Sequence, residues 1–163
     1  MQLTQNRIQE LLNYDQETGV FTRRETPQWG VKEGSPVKVK MYQGYPHLRI
    51  DRHYYSAHRI AWLFVTGSLP ESQIDHIDGN PENNSLANLR EATSSQNQQN
   101  RRAAQANSKT GLLGAHCTRM AGKWKSALTV AGKTFQLGTF DSPEEAHLAY
   151  VEAKRTHHEF CTI

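Results

Sequence analysis

Residues 73 to 97 constrain this chain more than any other stretch. Ile74 and Ile77 enclose Asp75 and His76, Asp78-Gly79 is a strong turn signal, and loop formers from Asn80 to Ser85 precede a return stretch from Leu89 to Ala92. That order predicts an irregular hairpin. Thr93 with Gln96 three residues on forms a capping-box signature, so a helix is predicted to begin there and to carry Asn97 in its first turns. Asn97 can then face Asp75 across the hairpin, which puts a carboxylate, an imidazole and a carboxamide at spacings that suit one site.

Those residue types suit metal-assisted cleavage of a phosphodiester. Neutral water attacks the anion poorly, so the site needs a base beside the attacking oxygen and a cation that draws charge from the phosphate. His76 is the natural base, because an imidazole titrates close to neutral pH. Asp75 and Asn97 offer oxygen ligands only, which fits a hard divalent ion, Mg²⁺ or Mn²⁺, and fits zinc poorly. Asn88 reads as structural: an amide with two donors and an acceptor can pin the irregular loop to the opposite backbone.

Asp75-His76, Asn88 and Asn97, with the Asp78-Gly79-Asn80 turn and the Asn88-Leu89-Arg90 step, resemble the HNH endonuclease motif in the variant of phage homing endonucleases, whose last position is Asn rather than His. The resemblance runs from about His58 to Asn97. It implies a ββα-metal finger in which Asp75 and Asn97 hold the metal, His76 is the general base and Asn88 buttresses the loop. Such enzymes often carry a large aromatic residue after Asn-Leu-Arg; here Glu91 stands there, either weakening DNA affinity or pointing to solvent. Asp-Gly-Asn among other Asn residues is also ordinary loop composition. Four positions occurring together with a hairpin and a capped helix, in the right order, favour the nuclease.

The distribution of charge points the same way, although the net charge is only +3. From Ala92 to Phe140 there is no Asp or Glu, while Arg101, Arg102, Lys109, Arg119, Lys123, Lys125 and Lys133 all fall inside that window; from Asp141 to Glu159 the balance reverses. A one-signed stretch next to a polyanion-cleaving site reads as a DNA-contacting surface, more economically than as a solvated basic face with no partner. Cys117 and Cys161 have no Cys-x-x-Cys companion, so both are expected to be free. No apolar run approaches membrane-spanning length and no leader is visible, which leads to the expectation of a cytoplasmic protein of a bacterial or phage-infected cell, with no membrane partner.

Upstream of the hairpin, Thr4 is predicted to cap a helix running to about Asn13, with Leu3 and Ile8 as a hydrophobic staple. Val20 to Arg24, Val37 to Met41 and Tyr45 to Ile50 read as strands. Ser56 is predicted to cap a helix that carries Ala57, Ile60, Ala61 and Phe64 on one face and ends at Gly67. On it, Arg59 is a candidate phosphate contact through its bidentate fork. His58 is either a neighbour of the scissile phosphate or, more commonly for a lone His on a helix, a packing residue. His47, His53 and His147 receive no role. Residues 100–109 read as the frayed end of the Asn97 helix passing into a linker, with Arg101 and Arg102 as nonspecific phosphate contacts.

Beyond it, Leu113 to Thr118, Lys123 to Val130 and Lys133 to Leu137 read as strands, with Ala131-Gly132 as the turn between the last two. Ser142-Pro143-Glu144-Glu145 opens a helix on which Ala146, Ala149, Tyr150 and Ala153 form a narrow stripe. Alternation puts Trp124, Ser126, Leu128 and Val130 on one face and Lys123, Lys125, Ala127 and Thr129 on the other. It turns Phe135 and Leu137 inward and Thr134 and Gln136 outward. The outward face is basic and small, and such a sheet can enter a major groove. Gly114, Gly122-Lys123-Trp124, Leu137-Gly138-Thr139-Phe140 and residues 146–150 make this region similar to the plant ethylene-response-factor (Apetala-type) DNA-binding domain, over roughly residues 111–160. DNA contacts are then expected from His116, Arg119, Lys123, Lys125, Thr129, Thr134 and Gln136. Because His116, Ala127, Thr129, Thr134 and Gln136 stand at positions that are Arg or Trp in plant domains, site preference does not transfer.

The chain is thus expected to be α+β. A nuclease domain covers residues 1–100, with its metal finger at about 73–100; a linker covers 101–110; and a three-stranded antiparallel sheet packed on one helix covers 111–160. The expected activity is divalent-metal-dependent hydrolysis of double-stranded DNA, with the C-terminal domain setting affinity and site choice and with no small-molecule cofactor. A non-enzymatic DNA-binding regulator with a degenerate nuclease half, or a nuclease acting on RNA or branched DNA, are the other readings. One metal finger has one active centre, so a monomer nicks one strand, and a double-strand break takes a dimer or two events.

Overall fold

The computed structural model describes residues 3–24, 30 and 32–163. The chain mixes helix and sheet and divides into two compact units, residues 1–94 and 95–163.

In the first unit, Thr4 caps α1 (Gln5–Leu11), its hydroxyl accepting from the Arg7 amide at 3.3 Å, and Ile8 is fully buried. The helix stops two residues short of the Asn13 expected from the sequence. Leu12 turns extended and opens β1 (Leu12–Tyr14), which pairs antiparallel with β2 (Phe21–Arg23), so pairing with a distant segment overrides helix continuation. A meander follows: β3 (Val39–Tyr42), β4 (Tyr45–Ile50) and β5 (His53–Ser56), in that spatial order. Its turns, Gln43-Gly44 and Asp51-Arg52, hold both residues at positive φ, the primed geometry that suits the twist of a two-residue hairpin. β5 goes unannounced in the sequence because Asp51-Arg52 carries no glycine. Next comes α2 (Ala57–Thr66), closed by Gly67 in the left-handed region, whose amide donates to the Leu63 carbonyl. Ser56 occupies the cap position without capping; its hydroxyl pairs with His47 Nε2 at 3.1 Å instead. Ile8, Leu12, Phe21, Leu48, Ile50, Ile60, Ala61, Leu63, Ile74 and Leu89 share one apolar cluster, so the hairpin strands β6 (Gln73–His76) and β7 (Leu89–Ala92) are rooted in the same core as the helices.

In the second unit, α3 (Ser94–Gln99) leads into an irregular stretch and then a sheet ordered β8-β9-β10, from Ala115–Cys117, Trp124–Val130 and Lys133–Phe140. The last strand outruns the expected Leu137 because an irregularity between Gln136 and Gly138 shifts the register and lets pairing continue to Phe140 opposite Trp124. Ser142 caps α4 (Pro143–His157), accepting from the Glu145 amide, with Pro143 in the first turn. Ala146 of α4 and Leu128 of β9 are buried at 0% and 2% exposure. Phe135, expected to turn inward, stands opposite Leu128 yet remains 54% exposed, near the turn end of the hairpin.

Candidate active site

The hairpin is built so that its polar residues face inward at one end. β6 and β7 pair antiparallel with Asp75 opposite Arg90 and His76 opposite Leu89. Both Arg90 Nε and Nη2 donate to Asp75 Oδ2, at 2.9 and 2.8 Å, and Asp75 is only 5% exposed. The Arg90 guanidinium thus lies directly against this buried carboxylate and supplies it with two donors.

His76 is equally buried. Its Nε2 lies 3.3 Å from Asn84 Oδ1, while Asn84 Nδ2 donates to the Glu82 carbonyl at 3.0 Å and so orients the amide oxygen toward the imidazole. An acceptor facing Nε2 favours the tautomer that carries its proton there. Burial draws the His76 pKa below the ordinary imidazole value, against the opposing pull of the Asn84 bond and of the Asp78 and Asp75 charges. The group is therefore a neutral imidazole at neutral pH.

The loop that presents Asn84 is fixed from two directions. From within, Asn88 accepts from the Asp78 amide at 2.9 Å and donates to Asp78 Oδ1 and to the Asn83 carbonyl at 2.9 and 2.8 Å. Burial pulls the Asp78 carboxyl upward, but the bonds from the Asn80 amide, Asn83 and Asn88 outweigh it and hold its pKa below the usual range. From outside, the Tyr14 hydroxyl donates to the Asn84 carbonyl at 2.7 Å. Gly19, at φ +74°, lies so close that a Cβ there would stand 2.4 Å from the Asn84 carbonyl carbon, so the β1–β2 turn is seated on this loop and tolerates only glycine.

His58 of α2 faces His76, the ring centroids 5.2 Å apart and nearly perpendicular, and Tyr45 leans on both rings at 5.5 and 6.2 Å. Its buried Nδ1 has no hydrogen-bond partner among the described residues. Burial, followed by the charges of His76, Arg59 and His47, pushes the His58 pKa down to about 4. Arg59, next along α2, lines a depression of about 220 Å³ with Leu3, Tyr55, Leu63 and Leu69. Glu91, opposite Ile74, is exposed.

Asn97 lies on α3, which belongs to the second compact unit, as do Arg101 and Arg102. Among the described residues no group of three or more His, Cys, Asp or Glu is placed to hold a metal ion. The expected ligand pair, one carboxylate and one carboxamide, is a different kind of donor set. Oxygen donors of this kind fit a hard divalent ion and not a thiophilic one.

In the second unit the register puts His116 opposite Lys125, Thr134 opposite Thr129 and Gln136 opposite Ala127, which gathers the expected contact residues on one face of the sheet. The Thr129 and Thr134 hydroxyls pair at 3.0 Å, and every one of these residues except half-buried Ala127 is exposed. Lys123 sits outside the strand and is ion-paired with Asp141; Arg119 is exposed on the preceding turn. A groove of about 720 Å³ borders this sheet, with Arg101, Lys109, His116, Ala127 and Thr129 along it. Cys117 and Cys161 are both free.

Two residues that matter in this geometry drew no role from the sequence. Arg90 was signalled only by register: counted back from the hairpin, it stands across from Asp75. Asn84 was hidden among the loop formers from Asn80 to Ser85, where nothing local separates a residue that turns inward from its neighbours.

Residues 55–99 match the HNH endonuclease family, so the hairpin, the preceding helix α2 and the start of the second unit lie in an HNH endonuclease domain. The chain is also 32% identical over 104 residues to Protein 3.8 of Escherichia phage T7, an alignment that covers 63% of this chain and 85% of that protein, and it belongs to that protein's family. No solved structure matches it. No helix among the described residues is long and apolar enough to cross a membrane.

Proposed function

We propose that the chain is a divalent-metal-dependent DNA endonuclease of the phage homing type. The observation that carries this reading is the placement of His76: buried, with an oriented amide at Nε2, inside the HNH-matched region and next to a buried carboxylate. His76 takes a proton from the attacking water as general base. Asp75 and Asn97 are the oxygen ligands of Mg²⁺ or Mn²⁺, which when bound supplies Lewis acidity to the phosphate. Asn88 holds the loop that keeps His76 and Asn84 in register, and Arg90 orients the Asp75 carboxylate through two hydrogen bonds.

The second unit is the DNA-reading part in this proposal, resembling the plant ethylene-response-factor domain. Support comes from the three-stranded sheet with α4 packed on it and from the exposed face carrying His116, Lys125, Thr129, Thr134 and Gln136. Arg119, Lys123, Arg101, Arg102 and, on α2, Arg59 add phosphate contacts. Lys123 does so less readily because Asp141 competes for it.

The test is incubation of purified protein with candidate host and phage DNA in Mg²⁺ or Mn²⁺, with the ends mapped. Specific strand scission that disappears in Asp75→Ala and Asn97→Ala is the expected result. DNA binding with no scission under any metal condition would instead leave a DNA-binding regulator with a degenerate nuclease half.

A further inference from the structure

Four consecutive residues at the end of α3 are each held by the far end of the chain. Gln99 Oε1 accepts from the Phe160 amide at 3.4 Å. Asn100, only 4% exposed, accepts at Oδ1 from the Thr162 hydroxyl at 2.6 Å. The Arg101 carbonyl accepts from Lys154 Nζ. Arg102 Nη2 donates to the Thr162 carbonyl and hydroxyl at 3.0 and 2.5 Å. The helix ends at Gln99, and residues 100–102, expected at its frayed end, are hydrogen-bonded to α4 and the end of the chain.

Lys154 is unusual in its own right. It is fully buried on α4, where burial first, and then the nearby Arg102 and Arg101 charges, lower its pKa. A desolvated ammonium is costly unless it finds acceptors, so a lysine here is used for the bond it makes. Its Nζ lies 5.9 Å from the Tyr150 ring, and Tyr150 is itself locked against Gly114, where a Cβ would stand 2.0 Å from the tyrosine Cγ. The anchor thus runs from the sheet through Tyr150 and Lys154 to the Arg101 carbonyl.

A six-residue helix has little stability of its own and takes its direction from what holds its ends. The Asn100 amide donates to the Asn97 carbonyl at 3.2 Å, so one turn separates the fastened residue from the proposed metal ligand. We infer that Lys154 and Thr162 are positioning residues for Asn97, which makes the last residues of the chain part of the nuclease and not only of a DNA-reading appendage. This rests on the proposal that Asn97 is a ligand.

Thr162→Val removes the hydroxyl while keeping the shape, Thr162→Ser keeps the hydroxyl, and Lys154→Met keeps the packing volume without the donor. In the full-length chain without DNA, Mn²⁺ affinity is measured by electron paramagnetic resonance of the free ion. Single-turnover cleavage and DNA affinity are measured alongside. The expected result is a loss of Mn²⁺ affinity of about 10-fold or more in Thr162→Val and Lys154→Met, the size seen when groups that orient a ligand are removed. Thr162→Ser should stay near wild type, and DNA affinity should change little. Wild-type Mn²⁺ affinity and cleavage in folded Thr162→Val and Lys154→Met would overturn the inference while leaving the nuclease reading intact. So would a loss confined to DNA affinity. A wild-type chain that neither binds Mn²⁺ nor cuts would remove the nuclease reading first, and the inference with it.

Discussion

Both compact units bury polar side chains, and they use them differently. Among the described residues of 1–94 the buried polar groups are Asp75, His76, Asn84 and Asn88, all on one hairpin and its loop, and their partners are largely side chains of that same hairpin: Asp75 with Arg90, His76 with Asn84, Asn88 with Asp78. In residues 95–163 they are Asn100, Ser126, Lys154 and His158, scattered along the chain. Two of these fasten one segment to another's backbone, Lys154 to the Arg101 carbonyl and His158 to the Thr129 carbonyl at 3.0 Å. A buried polar group whose partner is another reactive side chain tunes that side chain's charge. One whose partner is a distant carbonyl fixes a chain crossing. Of the charged groups expected to meet DNA in the second unit, Arg101, Arg102, Arg119 and Lys125 are instead exposed, where solvent screens them.

This contrast is broken most directly at His76. His76→Ala should lose about 10²–10⁴-fold in cleavage rate while DNA binding survives; near-wild-type scission by the folded variant would remove the hairpin from the chemistry. Asn84→Leu should lose a smaller part of that same contribution, about 10–100-fold, because the imidazole remains but its tautomer and direction are no longer set. Its pH–rate profile should change along with its rate, whereas a variant that only loosened the loop would lose stability and keep the profile.

Asn88→Ala tests whether a buried amide can be structural within the same hairpin. Leaving the Asp78 amide and the Asn83 carbonyl unpaired should cost roughly 1–3 kcal/mol in denaturant unfolding. Unchanged stability with lost cleavage would move Asn88 into the chemistry.

A subtler probe is His58. With its folded pKa near 4 against an ordinary 6.5, the unfolded chain takes up a proton between those values that the folded chain refuses. The stability this histidine permits is therefore complete above about pH 6.5 and declines as pH falls toward 4. Melting temperature measured across that window without metal should fall with acid, and less steeply in His58→Phe. Parallel slopes in the two proteins would show that His58 is not held neutral.

The smallest effects belong to the exposed face. Neutralising Lys125 or Arg119 should each lower the slope of log affinity against log salt by roughly 0.9 on duplex DNA. Neutralising Lys123 should lower it less, since Asp141 already pairs it. Equal slopes in wild type and a folded double variant of Arg119 and Lys125 would assign DNA contact elsewhere.

What could be read locally was carried by short-range chemistry. The Thr4 and Ser142 caps, the Gly67 stop, the Ala131-Gly132 turn and the hairpin from Gln73 to Ala92 each depend on residues within a few positions of one another, and each is where the amino acids put it. The expectation that Asn88 pins the irregular loop rested on the same short-range chemistry, and its amide does bond the Asp78 amide and the Asn83 carbonyl. What tertiary structure decided lies between residues far apart in sequence. The end of α1 at Leu11 follows from β1 finding β2, and Phe135 is left exposed although it stands opposite buried Leu128. Asn84 became the partner of His76 because Tyr14 and Gly19 press its loop inward, and Asn100 became fixed because Thr162 returns to it. Composition offers many asparagines capable of either role, and only long-range packing, which excludes water from some and not others, selects among them.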